Sequence, residues 1–301
     1  MDLFYCDHFV LPLPAGHRFP MAKYALLRDR VVATGLGKNG RLKVPSGATD
    51  RELETVHTRE YLRRVTGGSL LPLEIRRMGF PWSPGLVERS RRSVGGTLAA
   101  GRAALDQGVA MNLSGGTHHA FPDRGEGFCV FNDVAVAARV LQAREGVQRL
   151  VILDLDVHQG NGTAFIFRDD PSVFTFSLHG ANNYPFRKEA SDLDMELPDG
   201  ADDDLYLSAA REGVEASLER AGAEMAFYLA GADPFHGDGL GCLGVSKAGL
   251  EARDGLVMEA CRRFGIPVAV VMSGGYAPLI QDTVDIHFNT VRTAAAYHGS
   301  L

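Results

Sequence analysis

Cysteine, tryptophan and positive charge are all scarce in this chain. Its 301 residues include four cysteines and one tryptophan, and 31 basic residues against 37 acidic ones leave a net charge of −6. Cys6, Cys129, Cys242 and Cys261 show no C-x-x-C spacing, so they read as free thiols of a reducing compartment rather than as a disulfide framework. No basic surplus stands ready for a phosphate backbone, which argues against a direct nucleic-acid partner. Short basic patches at Arg63-Arg64, Arg76-Arg77 and 89–92 read as solvated helix faces. No apolar run approaches the roughly 20 residues of a membrane span. The opening MDLFYCDHFVLPLP has an acidic second residue and no basic stretch, so no signal peptide is expected. Repeats and low-complexity tracts are missing too. A soluble, cytoplasmic protein with no membrane partner is the expectation.

Hydrophobic residues make up 45% of the chain, enough for a sizeable core, and 35 glycines fall in clusters such as GLGKNG, HQGNG and HGDGLGCLG. Clustered glycine marks tight turns and close backbone approach. Short apolar runs at 3–6, 109–113, 150–155, 173–177, 225–230 and 267–272 read as strands covered on both faces. Helical patterns occupy 84–106, 132–145, 203–220, 247–264 and 277–297, with Asn132 or Asp133 available as an N-cap. This alternation predicts an α/β fold with a mostly parallel sheet and helices on both faces.

Polar residues follow the strands in a consistent way. SGGTHH, with His118 and His119, follows the second run. LDLDVHQGNG carries Asp154, Asp156, His158 and Asn161. His179 ends FSLHG, GADPFHGD holds Asp233 and His236, and SGGY ends on Tyr276. Sites of open parallel sheets form outside the carboxyl ends of the strands. Asp156 and His158, two apart on an extended backbone, are expected on one face, and Asp233 could close a three-ligand site with an open position, as in catalytic zinc centres. A lone D-x-H would more often be a hydrogen-bonded pair holding a loop; the surrounding histidines and Asp233 reverse that balance. One of His118 and His119 would suit a general base. Asp154 and Asn161 could each orient an imidazole, and Tyr276 could donate to a developing oxyanion. Phe128 and Trp82 are candidate apolar walls. These parts fit hydrolysis of an amide or ester.

The ordered motifs GGTHHAFPDRGEGFCVFND, ILDLDVHQGNGT, FSLHG, GADPFHGD and SGGY resemble the zinc-dependent histone deacetylase superfamily, most of all small bacterial deacylases related to its class IV group. The resemblance implies one catalytic domain over 1–301, with an arginase-like three-layer fold around a sheet of about eight strands. It implies that Asp156, His158 and Asp233 are zinc ligands, His119 the general base and acid, His118 its electrostatic companion, and Tyr276 the oxyanion donor. It also implies a structural potassium ion on Asp154, Asp156, His158, Ser177 and Leu178. Gly127 and Phe128 correspond to the acyl-lysine tunnel, Gly274 and Gly275 to substrate-binding positions, and Arg18 to the inner acyl or acetate cavity. Behind His119 stands Asn161, as in class II-like members, where many class I members carry Asp. GFPWSP replaces the acidic rim that grips peptide backbone in class I.

The implied activity is removal of acetyl, lactyl or related short acyl groups from lysine in a protein or peptide. The alternative is a small acylated amine such as an acetylpolyamine, although no dimerisation insert typical of polyamine amidohydrolases is present. An Asp₂His ligand set accepts ferrous iron as well as zinc. A binuclear manganese ureohydrolase would need further carboxylates, and Gly160 stands where a D-x-H-x-D motif requires one. A catalytically silent acyl-lysine reader would have no use for the intact base and tyrosine.

Overall fold

A computed structural model describes residues 1–298. Eight strands form one sheet: β1 (Leu3–Phe4), β2 (Leu42–Lys43), β3 (Val109–Asn112), β4 (Leu150–Asp154), β5 (Val173–Gly180), β6 (Leu193–Leu197), β7 (Met225–Leu229) and β8 (Val268–Val271). Ten helices accompany them among the described residues: α1 (Ala22–Thr34), α2 (Asp50–Leu53), α3 (Arg59–Gly67), α4 (Pro72–Met78), α5 (Pro84–Gln107), α6 (Asp133–Arg144), α7 (Asn161–Phe167), α8 (Asp203–Ala221), α9 (Lys247–Phe264) and α10 (Ile280–Tyr297). The strand order is β2-β1-β3-β8-β7-β4-β5-β6, and every pairing is parallel. No described helix is long and apolar enough to cross a membrane.

The pleat divides the core in two. Along β4, Val151 and Leu153 join one hydrophobic cluster while Leu150 and Ile152 join the other. Along β8, Val268 and Val270 separate from Ala269 and Val271 in the same way. The first cluster lies under α1, α8, α9 and α10, the second under α5 and α6. A strand sandwiched between helices must be apolar at every position, which is why the central strands read as continuous runs rather than as alternating ones.

All six expected strands are present, with ends shifted by one to three residues. The two absent from the sequence reading are β2, two residues long, and β6, whose LDMEL alternates acids with apolar residues. Both lie at sheet edges, where short or charged strands resist further pairing. Five helices were also not foreseen. In α1 the buried stripe is Lys23, Tyr24, Leu27 and Val31, so a charged residue interrupts the apolar pattern. The anticipated cap is present, the Asn132 side chain accepting from the Ala135 N–H at the start of α6, and at the start of α5 the Ser83 hydroxyl, not singled out from sequence, accepts from Leu86 N–H. One basic patch departs from expectation. Arg91 and Arg92 are ion-paired with Asp50 and Glu88, but Arg89 is turned inward and only 8% exposed.

Candidate active site

Four neighbouring strands, β3, β8, β7 and β4, deliver the polar segments to one rim of the sheet. β4 ends at Asp154, so Asp156 and His158 sit on a turn rather than on extended backbone. They still converge, because the turn folds onto its own carboxylates. Asp156 N–H donates to Asp154 Oδ1 (3.2 Å), and His158 N–H donates to Asp156 Oδ1 (3.0 Å). From β8, the Ser273 hydroxyl (2.7 Å) and the Gly274 N–H (2.8 Å) donate to Asp156 Oδ2. From β7 comes Asp233, whose Oδ1 accepts from Val157 N–H at 3.0 Å. One ligand atom from each of Asp156, His158 and Asp233 lies within 4.8 Å of the others, and all three residues are buried. Gly274 is required at its position: a Cβ there would stand 1.8 Å from Asp233 Oδ2.

Burial and the neighbouring Asp156 carboxylate push the Asp233 carboxyl up to about 7. Asp233 Oδ2 lies 3.2 Å from His158 Nδ1 but outside hydrogen-bonding geometry, and has no hydrogen-bond partner among the described residues. A buried, unpartnered carboxylate oxygen beside a second carboxylate and an imidazole fits a divalent cation.

His118 and His119 present tilted rings with centroids 4.2 Å apart, and their environments push them opposite ways. His118 Nδ1 pairs with Asp154 Oδ2 at 2.6 Å. Burial opposes its charge, but Asp154 and Asp156 outweigh burial and hold it up to about 9. The Nδ1–H of His119 donates to Asn161 Oδ1 at 2.7 Å. Burial, with His118 and His158 adding to it, holds His119 well below the ordinary imidazole value. A neutral imidazole whose Nδ1 is engaged keeps Nε2 as a free acceptor.

An outer channel of about 490 Å³ leads to an inner cavity of about 40 Å³, and His119, Gly127, Phe128, His158 and Tyr276 line both. Gly127 and Phe128 sit on a loop pinned by Gly127 N–H to Arg77 O (3.1 Å) and Phe128 N–H to Met78 O (2.9 Å). Gly127 has φ +52°, and a Cβ there would meet His119 Cδ2 at 2.6 Å, so only glycine fits. The backbone N–H of Tyr276 donates to Asp238 Oδ2 at 2.6 Å. Burial, then Asp233 and Asp156, hold its phenol well above 10, so it stays a donor.

Other sequence candidates lie elsewhere. Arg18 is exposed on the outer channel; from its segment it is Phe19 and Tyr24 that line the inner cavity. Gly275 lines neither space, and its carbonyl accepts from the buried Lys23 ammonium at 3.3 Å. The Trp82 indole donates to Val65 O and packs beside α3, away from the channel. His179 bonds Ser177, and His236 lies by the Val245 carbonyl. Asp154 and Ser177 are register partners across β4 and β5, with Leu178 next along β5, so the residues expected around potassium are neighbours. Three contributors were missed. Tyr184, after β5, stacks edge-on to His119 with centroids 5.0 Å apart and donates to Glu126; its place past a strand end was the available signal. Asp238 lies in the HGDG cluster. Lys23, which also donates to Ser273 O, follows no strand and carried no signal.

The sequence pattern of the histone deacetylase domain matches residues 17–291. The chain belongs to the histone deacetylase family. A histone deacetylase-like amidohydrolase of Pseudomonas aeruginosa is 31% identical, over 88% of this chain and 74% of its own length. Histone deacetylase 2 of Arabidopsis thaliana is also 31% identical, over 89% and 73%. An uncharacterized protein of Picosynechococcus sp. reaches 46%, over 94% of each chain. The crystal structure of an HDAC homolog complexed with SAHA superposes with a TM-score of 0.86 at 26% identity, covering 98% of this chain and 84% of that one. The fold is thus that of histone deacetylases, an arginase-like α/β sheet with helices on both faces, and this deacetylase-family chain is a hydrolase with a candidate metal site at the strand ends.

Proposed function

We propose that this histone deacetylase-family protein is a metal-dependent deacylase that removes acetyl or related short acyl groups from the lysine side chain of proteins or peptides. The observation that carries the reading is the convergence of Asp156, His158 and Asp233, with an orphaned carboxylate oxygen, beside an inner cavity that Asp156, His158, His119 and Tyr276 line. Those three side chains would hold zinc or ferrous iron. When bound, such an ion supplies a Lewis acid for the acyl carbonyl and makes an adjacent water more acidic.

The remaining roles belong to the chain. Phe128 and Tyr184 flank the acyl-lysine stem in the channel, with Gly127 leaving room beside His119. Asn161 fixes the tautomer of His119, whose free Nε2 takes a proton from the attacking water and later delivers one to the departing amine. His118, kept cationic by Asp154, contributes positive charge behind the site. The Tyr276 hydroxyl donates to the oxyanion of the tetrahedral species. Gly274 shapes the floor of the inner cavity. Asp154, Ser177 and Leu178, with Asp156 and His158, would hold a structural potassium ion beneath the site, supported by their adjacency across β4 and β5.

The channel wall carries Arg18 and Arg77 and no carboxylate. That favours lysine in a peptide over an acylated polyamine, whose remaining ammonium groups would be repelled. A panel of fluorogenic acyl-lysine peptides and acetylpolyamines, assayed with and without chelator, tests the reading. Chelator-sensitive turnover of acetyl-lysine peptide is expected; selective turnover of the polyamine would replace it, and no turnover of either would end it.

A further inference from the structure

Beyond the inner cavity lies a second cavity of about 50 Å³, where a single water needs roughly 10–15 Å³. It shares Phe19, Tyr24, Gly115, Thr117 and Phe128 with the inner cavity, but only Phe128 with the outer channel. It therefore sits on the acyl side of the reacting carbonyl. Its walls are mostly apolar, contain no Asp or Glu, and include Arg89 from α5. Arg89 is 8% exposed, and its Nη1 has no hydrogen-bond partner. Among the described residues it makes no ion pair; its guanidinium stacks on Tyr24, 4.5 Å from the ring centroid. The other buried arginine, Arg253, is by contrast paired with Asp254 and donates to the Gly231 carbonyl. A buried guanidinium without a counter-charge is costly, and ring stacking offsets only part of that cost. An anion entering the cavity would restore the balance, and a carboxylate matches the fork of guanidinium donors.

We propose that Arg89 forms a carboxylate-binding site at the inner end of the acyl cavity, and that it selects acyl groups ending in a free carboxylate, such as succinyl or glutaryl. The inference rests on the deacylase reading and adds the acyl class. A succinyl or glutaryl group would place its terminal carboxylate two or three methylenes beyond the reacting carbonyl, on the side of the cavity that Arg89 lines, whereas a long alkyl chain would press against the buried cation. The reaction is hydrolysis: water adds to the acyl carbon, the C–N bond breaks, the lysine amine leaves with a proton, and the dicarboxylic acid is released.

The test uses one peptide sequence bearing acetyl-, butyryl-, succinyl- or glutaryl-lysine. Wild type is expected to show a higher kcat/KM for succinyl or glutaryl than for butyryl. In Arg89→Gln and Arg89→Met the succinyl-to-butyryl ratio should fall at least about 30-fold, as loss of one partner of a desolvated charge pair predicts, with Arg89→Lys in between. Inhibition by free acetate and free succinate is measured in parallel. If wild type prefers butyryl to both diacid groups, or the ratio does not respond to Arg89, the proposal is overturned. It is equally overturned if only acetate inhibition depends on Arg89, since the site would then hold the departing acid. Wild-type cleavage of acetyl-lysine without a diacid preference would sink this proposal alone, whereas no cleavage of any peptide would sink the deacylase reading with it.

Discussion

At the scale of single residues, the site works by placing groups of opposite protonation tendency side by side. Asp154 holds a proton on His118, while burial keeps His119 neutral about one ring-width away. Tyr276 adds a phenol that burial and two carboxylates keep protonated. Tyr276→Phe should therefore bind acyl-lysine peptide with little change in KM and lose roughly 10²–10³ in kcat, the cost of one oxyanion donor. Steady-state kinetics would show this, and an unchanged kcat would remove the phenol from the chemistry. These residues were legible because each is a polar group just past an apolar run, where the interior has no reason to tolerate one. Tyr184, Asp238 and Lys23 were not singled out. Lys23 in particular looks like an ordinary surface residue of an amphipathic helix, and only packing shows its ammonium bonding the carbonyls of Ser273 and Gly275.

At the scale of elements, the loops that carry the histidines are held by the helices beneath them. His57, between α2 and α3, braces two points of the β3–α6 segment that carries His118 and His119: its Nδ1 meets the Phe121 carbonyl at 3.1 Å, and its Nε2 accepts from Asn132 N–H at 3.0 Å. The Nε2 bond needs the neutral ring, because a protonated Nε2 cannot accept, and burial lowers His57 to about 4 from 6.5. Between those values the unfolded chain binds a proton that the folded chain refuses. Stability should thus be full above about pH 6.5 and fall by roughly 3 kcal/mol from this residue as pH drops toward 4. Urea unfolding at several pH values should give a shallower loss for His57→Asn, which keeps an amide donor near Nδ1 but does not titrate. Equal slopes in both proteins would mean that His57 is not buried neutral. The long helices were readable from their apolar periodicity and caps, and α9 matches its expected bounds. The short α2, α3, α4 and α7 were not, because a helix of one or two turns shows too little period to separate from a loop.

For the whole molecule, the decisive feature is that strands third, eighth, seventh and fourth in the chain stand side by side. Ligands 77 positions apart in sequence, such as Asp156 and Asp233, meet because β4 and β7 are neighbours. A cation that grips both sides of this junction should stabilise the fold as well as enable the reaction. Dialysis against a strong chelator should abolish deacylation and lower Tm, and zinc or ferrous iron should restore both; full activity and an unchanged Tm after chelation would show that the three ligands hold no functional ion. The sequence by itself determined the α/β class, the central strands and the identity of the polar groups at their ends, since apolar runs and the residues that interrupt them are local properties of the chain. Only the tertiary structure decided which strand ends are adjacent, that Arg18 faces the outer channel, and that Arg89 lines a second cavity whose walls carry no carboxylate. Burial and charge pairing depend on what distant segments bring to the same place, and no local pattern encodes that.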